Sequence, residues 1–91
     1  MSYEWDPKKN AGNYRKHGID FADVTAVFED EYALWQEDIG EYNETRFAAV
    51  GMDHLAHIVT VIFTFRGENI RLISARYATN YERELYESNR K

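Results

Sequence analysis

The chain of 91 residues contains no cysteine, a single proline and no apolar run long enough for a transmembrane helix. Without cysteine, a disulfide framework and a cysteine-bearing zinc site are both excluded. The first ten residues, MSYEWDPKKN, also lack the apolar core of a signal peptide. We therefore expect a cytoplasmic protein that has no membrane partner.

Lysine and arginine are absent from residues 20–44, a segment that contains nine Asp and Glu residues. The segments before and after it each carry a balance of +2, so the net charge of −5 arises from this one acidic segment. An acidic segment can attract a basic partner, whereas the mildly basic ends still allow a local cleft that attracts phosphate.

We expect a single domain that spans residues 1–91. Its first third contains sequence signals for two helices. Asp6 is a good N-cap, Pro7 suits the first helical position, and Gly18 ends the helix after about residue 17. Asp20 then caps a second helix, which we expect to extend from Phe21 to about residue 29.

Short apolar segments separated by turns follow the two helices and predict an antiparallel meander sheet of about four strands. A short edge strand is also predicted near the N-terminus. The fold class is α+β, with the helices on one face and the other face open at least in part to solvent or a ligand. The predicted strands are residues 3–5, 32–36, 45–52, 57–66 and 70–76.

The last predicted strand leads into a helix that begins near Asn80. Thr79 and Glu82 have the spacing of a capping box, in which each side chain bonds the backbone amide of the other residue. Arg71 and Arg76 are an odd number of residues apart, so a regular strand would direct them to opposite faces. Both can reach one cleft only if the strand contains a bulge or ends before Arg76.

Glycine-rich phosphate loops, HExxH and nucleophile elbows are all absent. His54 and His57 lie across a predicted turn, where two exposed histidines are more common than a metal site. The acidic loop 37–44 lacks the ligand spacing of a calcium loop. We therefore expect neither a metal nor a cofactor.

After these exclusions, the remaining candidates for a functional site are several cationic side chains and two carboxylates. This set suits metal-free RNA cleavage. A base would take the proton of the ribose 2′-OH, cations would stabilise the phosphoryl oxygens, and an acid would protonate the departing 5′-oxygen. His17 suits proton transfer, with Lys16 or Glu44 as alternatives, whereas Glu82 has the competing role of helix cap. The candidate catalytic residues are Lys16, His17, Glu44, Arg46, Arg71, Arg76, Glu82 and Arg83, with Lys9 and Asn13 as candidate RNA-binding residues.

Two separated stretches and a weaker middle motif form a recognisable pattern. Its residues are Trp5, Asp6, Lys9, Asn13, Lys16, His17, Gly18 and Phe21; Glu44, Arg46 and Gly51; and Arg71, Ile73, Ser74, Ala75, Arg76, Ala78, Thr79, Glu82, Arg83 and Tyr86. This pattern resembles the BrnT family, the toxin half of a bacterial type II toxin–antitoxin pair. The resemblance implies a RelE-like fold with two N-terminal helices packed on the sheet. It also implies an endoribonuclease that a BrnA-like antitoxin inhibits, with DNA contacted only through that antitoxin.

The chain departs from the family pattern at Tyr77, where relatives often carry a basic residue, and in its acidic composition. These departures favour an alternative reading, a catalytically degenerate toxin homologue. Such a protein would act as a binding module or co-repressor together with a partner antitoxin. The two readings differ in whether the purified chain cleaves RNA.

Overall fold

The computed structural model describes residues 2–40 and 43–91. Five strands and three helices fill these ranges, together with a short 3₁₀ helix at Thr25–Glu29. In chain order the elements are β1 (Tyr3–Glu4), α1 (Pro7–His17), α2 (Phe21–Val24), β2 (Leu34–Asp38), β3 (Arg46–Met52), β4 (Ile58–Arg66), β5 (Asn69–Tyr77) and α3 (Asn80–Arg90). No helix in the described ranges is long and apolar enough to cross a membrane.

All five strands form one sheet in the order β1-β5-β4-β3-β2. Strands β2 to β5 are antiparallel neighbours in chain order, as the sequence predicts, and short connections join β3 to β4 and β4 to β5. Strand β1 joins the far edge parallel to β5, with Tyr3 opposite Ile70 and Glu4 opposite Arg71. The predicted α+β class is confirmed, but the sheet is mixed rather than purely antiparallel.

The expectation of a RelE-like meander of about four strands with two N-terminal helices is wrong in its details. The sheet has five strands, and the second helix keeps α geometry for only four residues before it tightens into the 3₁₀ helix. At that junction the Thr25 hydroxyl donates to the Ala22 carbonyl at 3.2 Å. Such local bonding by threonine competes with regular helix geometry, and the β-branched Val24 beside it is a poor helix former.

The predicted start and end of α1 and the predicted start of α3 are confirmed by their caps. Asp6 accepts a hydrogen bond from the Lys8 amide at 2.8 Å, and Gly18 ends α1 with a left-handed φ of 73°. At α3, the Thr79 hydroxyl accepts from the Glu82 amide at 3.2 Å, and Glu82 accepts from the Thr79 amide at 2.9 Å. Short sequence signals therefore fix where these helices begin, and where α1 ends.

The apolar core lies between one face of the sheet and the segment from α1 to the 3₁₀ helix. We call this side the covered face; it carries Val59, Val61 and Phe63 of β4, all fully buried. The opposite side, which carries Thr60 and Thr64, is called the arginine face. The covered-face side chains pack against Phe21, Val24 and Val27 in one cluster.

Asn13 connects α1 to the edge of β5 where β1 has ended. Its carboxamide donates to the Ala75 carbonyl at 3.0 Å and accepts from the Ala75 amide at 3.0 Å, and it also donates to the Ile19 carbonyl at 3.1 Å. The side chain thus pairs with both backbone groups that a further strand would have used. Because Asn13 is buried and fully engaged, the structure gives this candidate RNA-binding residue a role in folding.

Replacing Asn13 with alanine should destabilise the fold by about 3 kcal/mol, because it leaves the buried amide and carbonyl of Ala75 without partners. Urea unfolding followed by circular dichroism measures this change. The exposed Lys8→Ala variant on the same helix should stay within about 0.5 kcal/mol of the native chain. Equal stability of the two variants would contradict the role given to Asn13.

Candidate active site on the arginine face

A bulge in β5 places Arg71 and Arg76 on the same face of the sheet. Ile62 of β4 lies opposite Ser74, but the next residue, Phe63, lies opposite Leu72, so β5 contains one extra residue at this point. The extra residue reverses the alternation of side chains beyond it. Arg71 therefore stands opposite Thr64 and Arg76 opposite Thr60, and both arginines lie on the arginine face.

Arg76 and Glu82 form the most ordered polar contact on this face. The Arg76 Nη1 donates to Glu82 Oε1 at 2.7 Å and its Nη2 donates to Oε2 at 3.1 Å, a two-point ion pair between β5 and α3. The Thr60 hydroxyl donates to the same carboxylate at 3.0 Å. We call these three residues the Arg76–Glu82 cluster; α3 rests on the sheet at this point.

The electrostatics of this cluster limit what Glu82 can do. Hydrogen bonds from Arg76, from the Thr79 amide and from Thr60 outweigh the effect of burial and lower the pKa of Glu82 to about 2. Glu82 is therefore ionised at any physiological pH and has no proton to give to a leaving group. The same ion pair raises the pKa of Arg76, so the guanidinium stays charged.

A second group of charges lies at the other end of the arginine face. Glu44 and Arg46 approach within 3.7 Å (Oε1 to Nε), and Arg71 lies 3.9 Å from Glu4, measured from Nη1 to Oε1. The row containing Thr64 and Arg71 is four residues along β4 from the row containing Thr60 and Arg76, or about 13 Å. The predicted cleft is thus divided into the Arg76–Glu82 cluster and this group, the Arg46–Arg71 cluster.

The candidates on α1 lie beside β5. Strand β1 is parallel to β5 at Ile70, and Asn13 contacts Ala75, so α1 runs in the same direction as β5. His17 follows Asn13 by one helical turn and is half-buried, which places it toward the end of β5 that carries Arg76. Lys9 and Lys16 are exposed. Within the described ranges, no hydrogen bond or ion pair connects Lys16 or His17 to either cluster.

Comparisons with known proteins identify the family and support the fold. The family model described as the ribonuclease toxin BrnT of type II toxin–antitoxin systems matches residues 5–82. The crystal structure of the Brucella abortus ribonuclease toxin BrnT is similar, with 32% sequence identity and a TM-score of 0.67 over 88% of this chain and 99% of that chain. The chain belongs to the BrnT family. The comparison with curated proteins gave no match.

The BrnT family consists of ribonuclease toxins of type II toxin–antitoxin systems, which implies an RNA substrate and an antitoxin partner. The matched range includes each of the ten candidate residues except Arg83, which lies one position beyond it. Arg83 is exposed on the first turn of α3, beside Glu82. The roles assigned to the candidate residues stay predictions.

Sequence reasoning missed two polar contacts that hold α3 of this BrnT-family protein beside the candidate site. One is the hydrogen bond from the buried Thr60 to Glu82. Alternation along β4 places Thr60 on the arginine face, but nothing in the sequence indicates this bond. The other is the bond from the Tyr86 hydroxyl to Asp30 Oδ2 at 2.6 Å, which attaches the second half of α3. Burial and this bond raise the pKa of Tyr86 to about 12. Both contacts join residues far apart in sequence, so no local spacing reveals them.

Asp30 is a connecting residue as well as a partner of Tyr86. Its carboxylate also accepts from the Tyr32 amide and the Met52 amide, each at 2.9 Å. Burial opposes ionisation of Asp30, but these three donors outweigh it, so its pKa lies below the ordinary value. In the described part of the chain, no group of three His, Asp or Glu side chains could hold a metal ion.

Acid should weaken the fold partly through Glu82. Because the pKa of Glu82 is about 2 in the folded chain and 4.5 ordinarily, its contribution is complete above about pH 4.5 and is lost as the pH falls toward 2. With allowance for solvent screening, we expect native stability to fall about 2 kcal/mol more than that of Glu82→Gln between pH 6 and pH 2.5.

Urea unfolding at a series of pH values measures this difference. The matched variant Glu84→Gln alters an exposed residue of the same helix that has no described partner, and it should keep the acid sensitivity of the native chain. Equal acid sensitivity in the native chain and in Glu82→Gln would contradict the assignment.

Proposed function

We propose that this protein is an endoribonuclease toxin of the cytoplasm, which cleaves RNA without a metal ion and is inhibited by a BrnA-like antitoxin. Family membership supports the ribonuclease activity. The location of the site rests on the bulge in β5, which brings Arg71 and Arg76 to one face of the sheet. The register of β3 with β4 places Arg46 on the same face. Arginine suits this task because its planar, permanently charged fork can bind two phosphate oxygens.

We place the scissile phosphate at the Arg76–Glu82 cluster. The guanidinium of Arg76 has five N–H groups, of which Nη1 uses two, on Glu82 and on the Tyr77 carbonyl, and Nη2 uses one on Glu82. Two N–H groups, one on Nε and one on Nη2, have no partner among the described residues. They can contact phosphoryl oxygens while Glu82 holds the guanidinium in place, so Glu82 is a positioning residue in this mechanism.

Proton transfer is assigned to α1. A base there takes the proton from the ribose 2′-OH, whose oxygen attacks the adjacent phosphorus. The bond from phosphorus to the 5′-oxygen breaks, and an acid protonates that oxygen, which leaves a 2′,3′-cyclic phosphate and a 5′-hydroxyl. His17 is the proposed proton-transfer group because histidine changes charge in the physiological range, and Lys16 adds positive charge beside it.

The remaining candidates act on the flanking nucleotides. At about 13 Å from the scissile position, the Arg46–Arg71 cluster is placed to bind a neighbouring phosphate rather than the reacting one. Glu44 holds Arg46 through their 3.7 Å ion pair. The exposed side chains of Arg83 and Lys9 add long-range attraction for RNA, which offsets part of the repulsion from the acidic segment. DNA would be contacted only by the antitoxin.

A second candidate function is the degenerate homologue that acts as a co-repressor with its antitoxin. The observation that favours it is the Arg76–Glu82 ion pair itself, since the carboxylate already compensates the charge of the arginine. In this reading the pair only attaches α3 to the sheet. Cleavage by the purified chain, in the presence of a chelator, separates the two functions.

Arg76→Ala should lower RNA cleavage by at least about 100-fold, because it removes a donor to the developing phosphoryl charge. Arg76→Lys should recover little, since lysine cannot bind both Glu82 and a phosphate in the same geometry. The assay follows a labelled RNA in EDTA, and circular dichroism confirms that each variant is folded. The exposed Arg15→Ala on α1 is the matched control and should keep native activity.

If folded Arg76→Ala cleaves as fast as Arg15→Ala, the scissile phosphate is elsewhere. If the native chain produces no cyclic phosphate end at any pH or salt concentration, the endoribonuclease proposal fails and the co-repressor reading replaces it.

His17→Ala should remove one limb of the pH–rate profile and lower kcat by roughly 100-fold or more, because it deletes a proton-transfer group. KM should change far less than kcat, since His17 is not assigned to bind phosphate. Single-turnover cleavage measured across pH tests this. If His17→Ala keeps the pH–rate profile of the native chain, another residue transfers the proton.

A further inference from the structure

Strand β2 is an open edge of the sheet. It lies last in the strand order and pairs only with β3, so its outer backbone groups have no strand partner among the described residues. The opposite edge is formed by β1, which is only two residues long, and beyond it the carboxamide of Asn13 occupies the backbone of Ala75 on β5. An uncovered edge is a template for one more strand unless charge, proline or bulges protect it.

Apolar side chains border this edge on both faces of the sheet. On the covered face, the ring of Trp35 is 46% exposed although it packs edge-on against Phe63 at 5.0 Å between ring centroids. On the arginine face, a groove of about 210 Å³ separates β2 from α3. Leu34, Tyr81 and Leu85 line this groove, and Tyr81 is 70% exposed. Successive side chains of a strand added to β2 would point to opposite faces of the sheet, so the strand would bury apolar surface on both faces.

Charge indicates what kind of chain fits there. Exposed Glu37 and half-buried Asp38 end β2, exposed Glu31 precedes the strand, and residues 20–44 contain no lysine or arginine. A second copy of this chain would bring acidic segments together, and like charges opposed across a strand pair are destabilising. RNA is also repelled, because its phosphate backbone is negatively charged. A basic protein segment is attracted.

We propose that the edge of β2 binds an extended segment of a partner protein, with apolar and Lys or Arg residues alternating along it. The added strand would hydrogen-bond the outer backbone of β2 and direct side chains toward Trp35 on one face and toward the groove under α3 on the other. This mode of recognition, addition of a strand to a sheet edge, gives affinity through the main chain and specificity through alternate side chains.

The inference rests on the proposed function for the identity of the partner, since the antitoxin of the pair would supply the strand. The groove borders Glu82, which lines it together with Tyr81 and Leu85. A strand in the groove would thus lie beside the Arg76–Glu82 cluster, and binding at the edge would restrict access of RNA to the proposed site of cleavage.

A synthetic peptide of alternating lysine and valine, twelve residues long and capped at both ends, serves as the probe. Amide hydrogen exchange of the isotope-labelled chain, followed by NMR, reports where the peptide binds. We expect the outward amides of β2 to exchange at least tenfold more slowly with saturating peptide, because strand addition engages them. A peptide interrupted by a central proline, or one with glutamate in place of lysine, should give no protection.

Glu37→Lys should weaken binding of the lysine–valine peptide about fivefold at low salt and by less at high salt, since the lost attraction is screened. Glu84→Lys is the matched control, because it reverses an exposed charge that lies neither on β2 nor among the groove residues. It should stay within about twofold of the native chain. Circular dichroism verifies that both variants are folded.

Three results would overturn the inference. The first is protection confined to amides outside β2, and the second is equal binding of the lysine and glutamate peptides. The third is a dimer in sedimentation whose outward β2 amides are already protected without peptide. The binding assay needs no cleavage, so the two proposals can fail separately. A chain that cleaves RNA but does not bind the peptide at β2 rejects only the docking surface. A chain that binds at β2 but never cleaves rejects only the ribonuclease.

Discussion

The carboxylate of Glu82 is the contact on which the arrangement of the candidate site depends. It caps α3 through the Thr79 amide, accepts from Thr60 on β4, and forms a two-point ion pair with Arg76 on β5. One side chain thus fixes the start of a helix, the position of that helix over the sheet and the direction of a guanidinium. A carboxylate with this many donors stays ionised, because each bond favours its charged form.

The same contact is compatible with the proposed mechanism, in which Arg76 both attaches α3 and binds a phosphate. Arg76 is held by Glu82 yet keeps donors for another anion, so it can be oriented before a phosphate arrives. Such preorganisation makes a cation effective at a developing charge, since no reorganisation is needed during the reaction. The second attachment of α3, from Tyr86 to Asp30, holds the helix through residues other than Arg76 and Glu82.

Charge is distributed so that different surfaces suit different partners. The arginines of β3 and β5 are on one face, whereas most of the described acidic residues of the segment 20–44 lie on or next to α2, the 3₁₀ helix and β2; Glu44 is paired with Arg46 instead. The positions of the charged side chains decide what each surface attracts more than the net charge of −5 does. The electric field at a surface is set by nearby charges and is screened within about 10 Å in ordinary salt. A protein with a net negative charge can therefore have arginines gathered on one face of its sheet and carboxylates along one edge, as the two proposals require.

Local signals in the sequence predicted much of the framework. The caps at Asp6, Gly18 and Thr79 depend on residues within four positions of one another, and the alternation along β4 depends on a period of two. Both can be recognised without the fold. The second helix was predicted too long, because its apolar spacing persists while Thr25 bonds back to Ala22 and the geometry tightens.

By itself, then, the sequence determined the α+β class, the ends of α1, the start of α3, the order of the antiparallel strands and the resemblance to the BrnT family. Only the tertiary structure decided the bulge at Ile73, the parallel edge strand, the pairing of Asn13 with β5 and the division of the candidate cations into two clusters. The physical reason is separation along the chain. Asn13 and Ala75, or Thr60 and Glu82, meet only because the sheet and helices bring them together, and no local spacing encodes a contact made across the fold.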